Sequence, residues 1–367
     1  MSFNNGQEQQ GNRNPFVERC AGEMINKIFL CLGIICSLLI GQARADIFDA
    51  IMAHDSTAVR QYISNDANVN SAGPEQWTPL HLAAFSGYSD IVMLLCDNGA
   101  DLFARQAEGC TPLHLACQEG KTDTVRILLE KGSDIHAISH TGMSALHFAA
   151  VNNRIDIARL LISRGAHINA PAQNGVTPLI YAAEKGFLDL TKLLVSMGAS
   201  TEVHTTDGRT ALHVAAANNR LRISEFLFSS HADIEAKNIY DSTPLHAAAA
   251  SGSVQVLEFF LRNNAEIEVR DRNGNTPLFY AATSGKTECV RCLLTHGANI
   301  DARNIVGWTP LHIAVQNDCY EVVQLLLSNG ADVNIKEDSH KATPFMLACL
   351  KSNNKMISLL KAHGGKI

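Results

Sequence analysis

Residues 110–116 read Cys110-Thr111-Pro112-Leu113-His114-Leu115-Ala116, and this stretch recurs along the chain at a fixed spacing. Thr-Pro-Leu-His or a close variant begins, at 33-residue steps, at Thr78, Thr111, Ser144, Thr177, Thr210, Thr243, Thr276 and Thr309. A ninth copy begins at Thr343, after 34 residues. A constant period between about 20 and 50 residues is the signature of a repeat architecture, in which each unit buries its apolar faces against its neighbours.

One repeat is expected to contain two short antiparallel helices followed by an extended finger. Pro112 suits the first helical turn, where its missing N–H would be unpaired in any case. Gly120 permits the positive φ needed to leave the first helix, and Leu128 lies among the apolar residues of the second. Gly132 ends the second helix, and the finger is expected to turn at Gly142. In four other repeats a non-glycine residue occupies the position equivalent to Gly120: Asn153, Asn219, Asp318 and Ser352.

Thr-Pro-Leu-His-x-Ala at a 33-residue period resembles the ankyrin repeat, and the resemblance extends from about Asp46 to the C-terminus. It implies an all-α solenoid of about ten helix-turn-helix units with β-hairpin fingers. We assign a degenerate capping unit to residues 46–77, eight repeats to 78–342 and a C-terminal capping unit to 343–367. The resemblance also implies a protein-binding module without a cofactor or a small-molecule substrate, and we expect a monomer.

Six of the 15 histidines occupy the fourth position of the repeat element. No nucleophile or acid recurs beside them, so a catalytic role is not indicated. The resemblance implies that they are structural, with hydrogen bonds that tie neighbouring fingers together. These histidines are His81, His114, His147, His213, His246 and His312.

Ankyrin-like arrays bind partners through the finger tips and the exposed face of the first helix. Carried over to this chain, that implies a set of candidate partner-binding residues. They are Trp77, Phe85, Arg105, Ile138, Met143, Ile239, Tyr240, Arg270, Arg272, Arg303, Ile305 and Trp308. Trp77 and Trp308 lie seven periods apart at the same finger position, and they could equally pack on a neighbouring finger. The three arginines Arg270, Arg272 and Arg303 indicate either an acidic partner segment or a solvated face.

Charge and composition exclude other kinds of partner. The chain carries 30 Lys and Arg against 36 Asp and Glu, a net charge of −6, so it has no basic excess to neutralise nucleic-acid phosphates. No phosphate-binding glycine loop, nucleophile elbow or kinase signature is present. Almost no sequence lies outside the array to hold a catalytic domain, and we therefore expect no enzyme activity.

Cys289, Cys292 and His296 provide the one arrangement that resembles a metal site. They fall at i, i+3 and i+7 on a predicted helix, which would place them on one face. Structural zinc usually takes four ligands, and no fourth is evident nearby. The repeat register places both cysteines at core positions, as it does Cys117 and Cys349, where a free thiol behaves as a small hydrophobe. We favour core packing and no metal, and the cysteine spacing does not indicate a disulfide scaffold.

The N-terminus has the pattern of an export signal. Residues 1–23 form a polar extension, Lys27 precedes an apolar run over 28–40, and Ala43-Arg44-Ala45 follows. This three-part pattern predicts a signal peptide over 24–45 with cleavage before Asp46 and makes Met24 a second candidate start. An uncleaved membrane anchor over 28–40 is the alternative, although this run is shorter than the roughly 20 residues that span a bilayer. A buried helix is a third interpretation.

These features together favour an exported protein-binding module of periplasmic or secreted location, similar to exported bacterial ankyrin-repeat proteins, some of which act on host proteins. The alternative is a periplasmic or membrane-anchored scaffold for proteins of the producing cell. An enzyme or metal protein centred on Cys289, Cys292 and His296 is the third hypothesis.

Overall fold

A computed structural model describes residues 46–366, in which the chain forms twenty α-helices. The predicted polar extension over 1–23 and signal segment over 24–45 lie outside the described residues. Among residues 46–366, no helix is both long enough and apolar enough to cross a bilayer. The helices come in ten pairs, and each pair occupies one period of the repeat.

The described residues divide into two compact units, 46–140 and 141–366. The described part of the first unit holds three helix pairs: α1 (Ile47–Met52) and α2 (Ser56–Ser64), α3 (Pro79–Ser86) and α4 (Ser89–Asp97), α5 (Pro112–Glu119) and α6 (Thr122–Glu130). α1 and α2 lack the Thr-Pro-Leu-His element but pair like the others, since α1 packs on α2 and on α3.

The second unit holds seven pairs. They are α7 (Ala145–Val151) and α8 (Ile155–Ser163), α9 (Pro178–Lys185) and α10 (Leu188–Ser196), α11 (Ala211–Ala217) and α12 (Leu221–Ser229), α13 (Pro244–Ser251) and α14 (Val254–Arg262), α15 (Pro277–Thr283) and α16 (Thr287–Thr295), α17 (Pro310–Gln316) and α18 (Tyr320–Ser328), α19 (Pro344–Leu350) and α20 (Asn354–Ala362). Within each unit, first helices pack on neighbouring first helices and second helices on second helices.

The repeat element sets where each first helix begins and ends. Thr78 is the N-cap of α3, and its side-chain oxygen accepts the backbone N–H of His81. Gly87 ends the helix in the left-handed region at φ 80°. The predicted substitutes for this glycine adopt the same backbone, with φ between 54° and 55° at Asn153, Asn219, Asp318 and Ser352. Short polar side chains tolerate this region best among non-glycine residues.

The core combines alanines and leucines of the first helices with branched residues of the second helices. Ala215 and Ala216 of α11 are fully buried, as are Val256 and Leu257 of α14. Alanine at these positions lets neighbouring first helices approach closely, while the larger side chains fill the space between second helices. Each interface therefore depends on the next pair in the array.

Side chains also cap the first helices of preceding pairs. Arg220, just before α12, donates from Nε to the carbonyl of Glu184 at the end of α9 (3.1 Å). Lys351 donates to the carbonyl of Gln316 in the same way (2.6 Å) and also pairs with Asp318. A cation at a helix C-terminus satisfies an orphan carbonyl and is attracted by the negative end of the helix dipole.

Cys349 departs from the predicted core placement. Cys117 is fully buried as expected, but Cys349 is exposed. The equivalent residues of earlier pairs, such as Ala216 and Ala249, are fully buried, whereas Cys349 lies in the last pair described. The prediction of a core site was therefore wrong for Cys349.

Candidate partner-binding surface

The segment between each second helix and the next first helix forms the finger, and turns rather than β-strands shape it. No regular strand forms within residues 46–366, and His204 and Thr210 make an isolated antiparallel bridge. The predicted β-hairpins are thus not seen in the described residues. In the finger over 236–243, Asn238 Oδ1 instead accepts the backbone N–H groups of Tyr240 and Ser242. A side-chain acceptor of this kind replaces the cross-strand ladder that a longer hairpin would need.

Neighbouring finger tips are joined by a recurring backbone hydrogen bond. The two tip residues of a finger are the pair equivalent to Ile239 and Tyr240. The first tip residue donates its N–H to the carbonyl of the second tip residue in the preceding finger. In the second unit the donor–acceptor pairs are Gln173 to Thr141, Thr206 to Asn174, Ile239 to Asp207, Arg272 to Tyr240, Ile305 to Asn273 and Asp338 to Val306, at 2.8 to 3.1 Å. The tips are therefore held in a fixed register.

The six repeat histidines anchor the base of the fingers. The backbone N–H of Thr243 donates to Nδ1 of His246 at 3.1 Å, so this nitrogen carries no proton. Nε2 must then carry the proton, and it donates to the carbonyl of Asn275 in the next finger at 3.1 Å. Equivalent bonds run from His81 to Cys110, His147 to Val176, His213 to Ser242 and His312 to Ala342. Nε2 of His114 bonds the carbonyl of Ala137, which lies earlier in the following finger.

Burial keeps these imidazoles neutral. Desolvation lowers the pKa of four of them to about 4, against weaker opposing hydrogen bonds to backbone carbonyls; they are His81, His147, His213 and His246. Burial also lowers the pKa of His312. Protonation of Nδ1 would break the bond to the N-cap residue, so the neutral form is the one that the fold uses.

Two finger tips of the second unit present apolar side chains to solvent. The exposed fractions are 43% for Ile239, 56% for Tyr240, 67% for Ile305 and 43% for Val306. The corresponding tips elsewhere in this unit are polar, such as Thr206 with Asp207, Arg272 with Asn273 and Asp338 with Ser339. Because the tips are fixed in register, their apolar groups are not free to fold back into the body of the unit.

The predicted basic residues make contacts within and between fingers and are also exposed to solvent. Arg270 donates from Nη1 to the carbonyls of Gly274 (3.0 Å) and Arg303 (2.7 Å), so it staples two fingers together. Arg303 pairs with Asp338 at 2.7 Å, and Arg272 pairs with Asp241 at 3.2 Å. In the first unit, Arg105 joins the carbonyls of Gly109 and Ile138 as Arg270 does in the second. All four arginines nevertheless remain exposed.

The two tryptophans pack within their own repeats. Trp77 makes an edge contact with Phe85 at 5.6 Å between ring centroids, and it lies beside His81. Trp308 lies 6.1 Å from the ring of His312. Both indoles are only half-buried. The two roles considered for them were partner binding and packing. Packing buries part of each indole ring and leaves the remainder exposed.

Met143 was predicted to contact a partner, but its side chain is buried and presents almost no surface to solvent. It is only 7% exposed, and the equivalent residues Cys110, Val176 and Ser242 are buried too. This finger position directly precedes the N-cap residue, so its side chain turns towards the body of the repeat. Ile138, which was predicted beside it, is 50% exposed.

Three exposed apolar residues were missed in the sequence. Met93 stands where later repeats have Arg126, Arg159 and Lys192, and Phe103 stands where they have His136, Asn169 and Glu202. Leu350 of α19 is 81% exposed. Comparing each residue with its equivalents one period away would have identified Met93 and Phe103, because an apolar side chain replaces a polar one there.

The suspected metal ligands do not converge. Cys289 Sγ is buried and faces the carbonyl of Ala248 at 4.0 Å. Cys292 and His296 lie together, with Sγ to Nδ1 at 3.8 Å, but Nδ1 donates to the carbonyl of Cys292 at 2.8 Å. Burial raises the pKa of both thiols, which opposes the thiolate form that metals bind. Within residues 46–366, no three metal-ligating side chains are grouped closely enough to hold an ion.

Comparison with known families agrees with this geometry. The family model for ankyrin repeats (three copies) matches residues 47–139, 105–172, 168–238 and 245–337. No curated protein matches the chain significantly. The matched ranges cover most of the sequence and coincide with the helix pairs, so the chain belongs to the ankyrin-repeat family. Ankyrin repeats are protein–protein interaction modules, and proteins built from them are generally non-catalytic scaffolds.

Proposed function

We propose that this protein is an exported, non-catalytic module that binds a protein partner along the finger and first-helix surface of its second unit. The observation that carries the proposal is the pair of apolar tips, Ile239 with Tyr240 and Ile305 with Val306, on fingers fixed by backbone hydrogen bonds. Exposed aromatic and branched side chains on a rigid frame lose little entropy on binding, which favours their use as anchors.

Site-specific cross-linking in the native cell tests the binding function. A photoreactive phenylalanine analogue in place of Tyr240 should form a covalent adduct with a discrete protein. The same analogue at Lys192, exposed on second helix α10 of the same unit, serves as the matched control. Adducts of equal yield at both positions, or at neither, would remove the finger surface as the site.

Substitution of the apolar tips provides a second test. Tyr240→Ala combined with Ile305→Ala should abolish the adduct formed from a probe at Val306 while leaving the helical circular dichroism unchanged. This pair is preferable to one that includes Trp308, because the indole packs beside His312 and its loss would disturb the finger base.

Export is proposed from the 24–45 segment, and the intact mass of the native protein tests it. A chain that begins at Asp46 in the periplasmic or secreted fraction would support a cleaved signal peptide. A chain that retains 24–45 in the membrane fraction would instead favour the alternative, an anchored scaffold. The identity of the cross-linked protein then distinguishes a partner from the producing cell from one outside it.

A further inference from the structure

The charge of the finger tips around the apolar residues is opposite in sign to that of the whole chain. Together, the four six-residue tip segments 237–242, 270–275, 303–308 and 336–341 contain six Lys and Arg and four Asp and Glu. The chain as a whole has a net charge of −6. Basic charge is therefore concentrated where the apolar tips lie.

Burial sharpens this contrast. Asp271 and Glu337 are 6% and 4% exposed, and both carboxylates face inwards. Asp271 accepts the N–H groups of Asn273 and Asn275, and Glu337 accepts those of Ser339 and Ala342. Within the tip segments, six basic side chains therefore face solvent against two acidic ones, Asp241 and Asp338.

The basic groups between the apolar tips are only partly neutralised. Arg270 donates from Nη1 to two carbonyls, which does not cancel its charge. Arg272 has one carboxylate partner, Asp241, in an exposed pair at 3.2 Å. Exposed ion pairs contribute little free energy, so a carboxylate from a partner can compete for Arg272.

The spacing of the tips sets the length of the partner segment. Ile239 with Tyr240 and Ile305 with Val306 are two repeats apart, with the tip of Arg272 and Asn273 between them. Because packed helices lie about 8–10 Å apart, the two apolar tips are roughly 20 Å apart. An extended chain covers that distance in about six residues, and a helix covers it in about thirteen.

We infer that these four fingers bind an acidic peptide segment whose two large apolar side chains, about 20 Å apart, contact the two apolar tips while a carboxylate between them faces Arg270 and Arg272. The inference rests on the proposed protein-binding function and specifies the chemistry of the partner. Apolar contact supplies the affinity, and the basic side chains select the sign of the partner's charge.

Selection from a library of random 16-residue peptides displayed on phage tests it with the intact protein. Enriched sequences should be acidic and carry two large apolar residues about six or about thirteen positions apart. These two spacings separate an extended segment from a helical one. Enrichment of basic sequences, or of sequences with a single apolar anchor, would overturn the inference.

A synthetic copy of the most enriched peptide then tests each contact by fluorescence anisotropy. Replacing either tip pair with serines should weaken binding at least tenfold. Arg272→Gln should weaken it severalfold, and Asp241→Asn should strengthen it severalfold because it frees Arg272. Lys192→Gln removes a cation from α10 of the same unit and should change nothing. Unaltered binding by the serine variants would refute the assigned tips.

The two proposals can fail separately. If no peptide is enriched but a probe at Tyr240 cross-links a protein, the acidic-segment inference is wrong and the binding function stands. If neither occurs, both are wrong. Circular dichroism of each serine variant checks that the fold is intact, which is expected because the tip hydrogen bonds use only backbone atoms.

Discussion

Each repeat histidine is buried, and one of its ring nitrogens accepts a hydrogen bond while the other donates one. Nδ1 accepts from the N-cap residue of its own helix, and Nε2 donates to a carbonyl of the finger that follows. A single neutral tautomer satisfies both bonds, because one ring nitrogen accepts and the other donates. Where the histidine is replaced, as by Phe279, these two bonds are lost from that position.

These histidines make the stability of the array depend on pH. For four of them the pKa is about 4 in the folded protein and about 6.5 in the unfolded chain, so the unfolded chain binds more protons between those values; they are His81, His147, His213 and His246. Their contribution should therefore be constant above about pH 7, and stability should fall as the pH drops from about 6.5 towards 4. By linkage, each of these four histidines costs about 1–2 kcal/mol at pH 5.

Urea unfolding followed by circular dichroism between pH 7.5 and 4.5 checks this. His213→Ile, which copies the residue at the equivalent position of the preceding repeat (Ile180), should reduce proton uptake on unfolding by about one. An unchanged pH dependence of the unfolding free energy in this variant would mean that His213 does not contribute to it.

At the level of the secondary-structure element, the packing of a finger requires the backbone of the next finger to approach it closely. Gly208 has φ 80°, and a Cβ there would lie 2.7 Å from the backbone N of Ile239. Gly198, which follows α10, has φ 99° but nothing within 4 Å of a Cβ. Substitutions at these two glycines therefore distinguish the cost of a strained backbone from the cost of a steric clash. Asp241, at the position equivalent to Gly208, is accommodated at φ 59°.

Gly208→Ala should destabilise the second unit more than Gly198→Ala. We expect a cost of about 1 kcal/mol at Gly198 from the left-handed backbone alone, and about 2–3 kcal/mol at Gly208, where the finger must also shift. Urea unfolding monitored by Trp308 fluorescence in a Trp77→Phe background measures both. Equal losses would show that the fingers move apart without cost.

At the scale of the whole molecule, the two tryptophans report on different units. Trp77 lies in the first unit and Trp308 in the second, and the chain has no others. Stability in a repeat array grows with the number of neighbour interfaces. Three helix pairs are described in the first unit and seven in the second.

Single-tryptophan variants should therefore unfold at different urea concentrations. Trp308→Phe leaves a reporter of the first unit, which we expect to have the lower midpoint. Trp77→Phe leaves a reporter of the second unit, which we expect to have the higher one. Coincident midpoints would instead indicate that all ten pairs unfold in one cooperative transition.

The repeated sequence is enough to predict the helix pairs, the glycine turns and the positions of the repeat histidines. These features depend on local backbone chemistry: Thr78 as an N-cap, Gly87 at positive φ, and a histidine at a fixed distance from the next finger. A period of 33 residues repeats that chemistry, so each copy supports the others. The candidate tips Ile239, Tyr240 and Ile305 could also be placed on the fingers from their register alone.

Only the tertiary structure decided which of the candidate residues face solvent and which are engaged. Arg270 staples its finger to a carbonyl one period away, whereas Asp271 turns its carboxylate onto N–H groups of its own finger, and Met143 is buried. All three features depend on backbone positions that a sequence pattern does not specify.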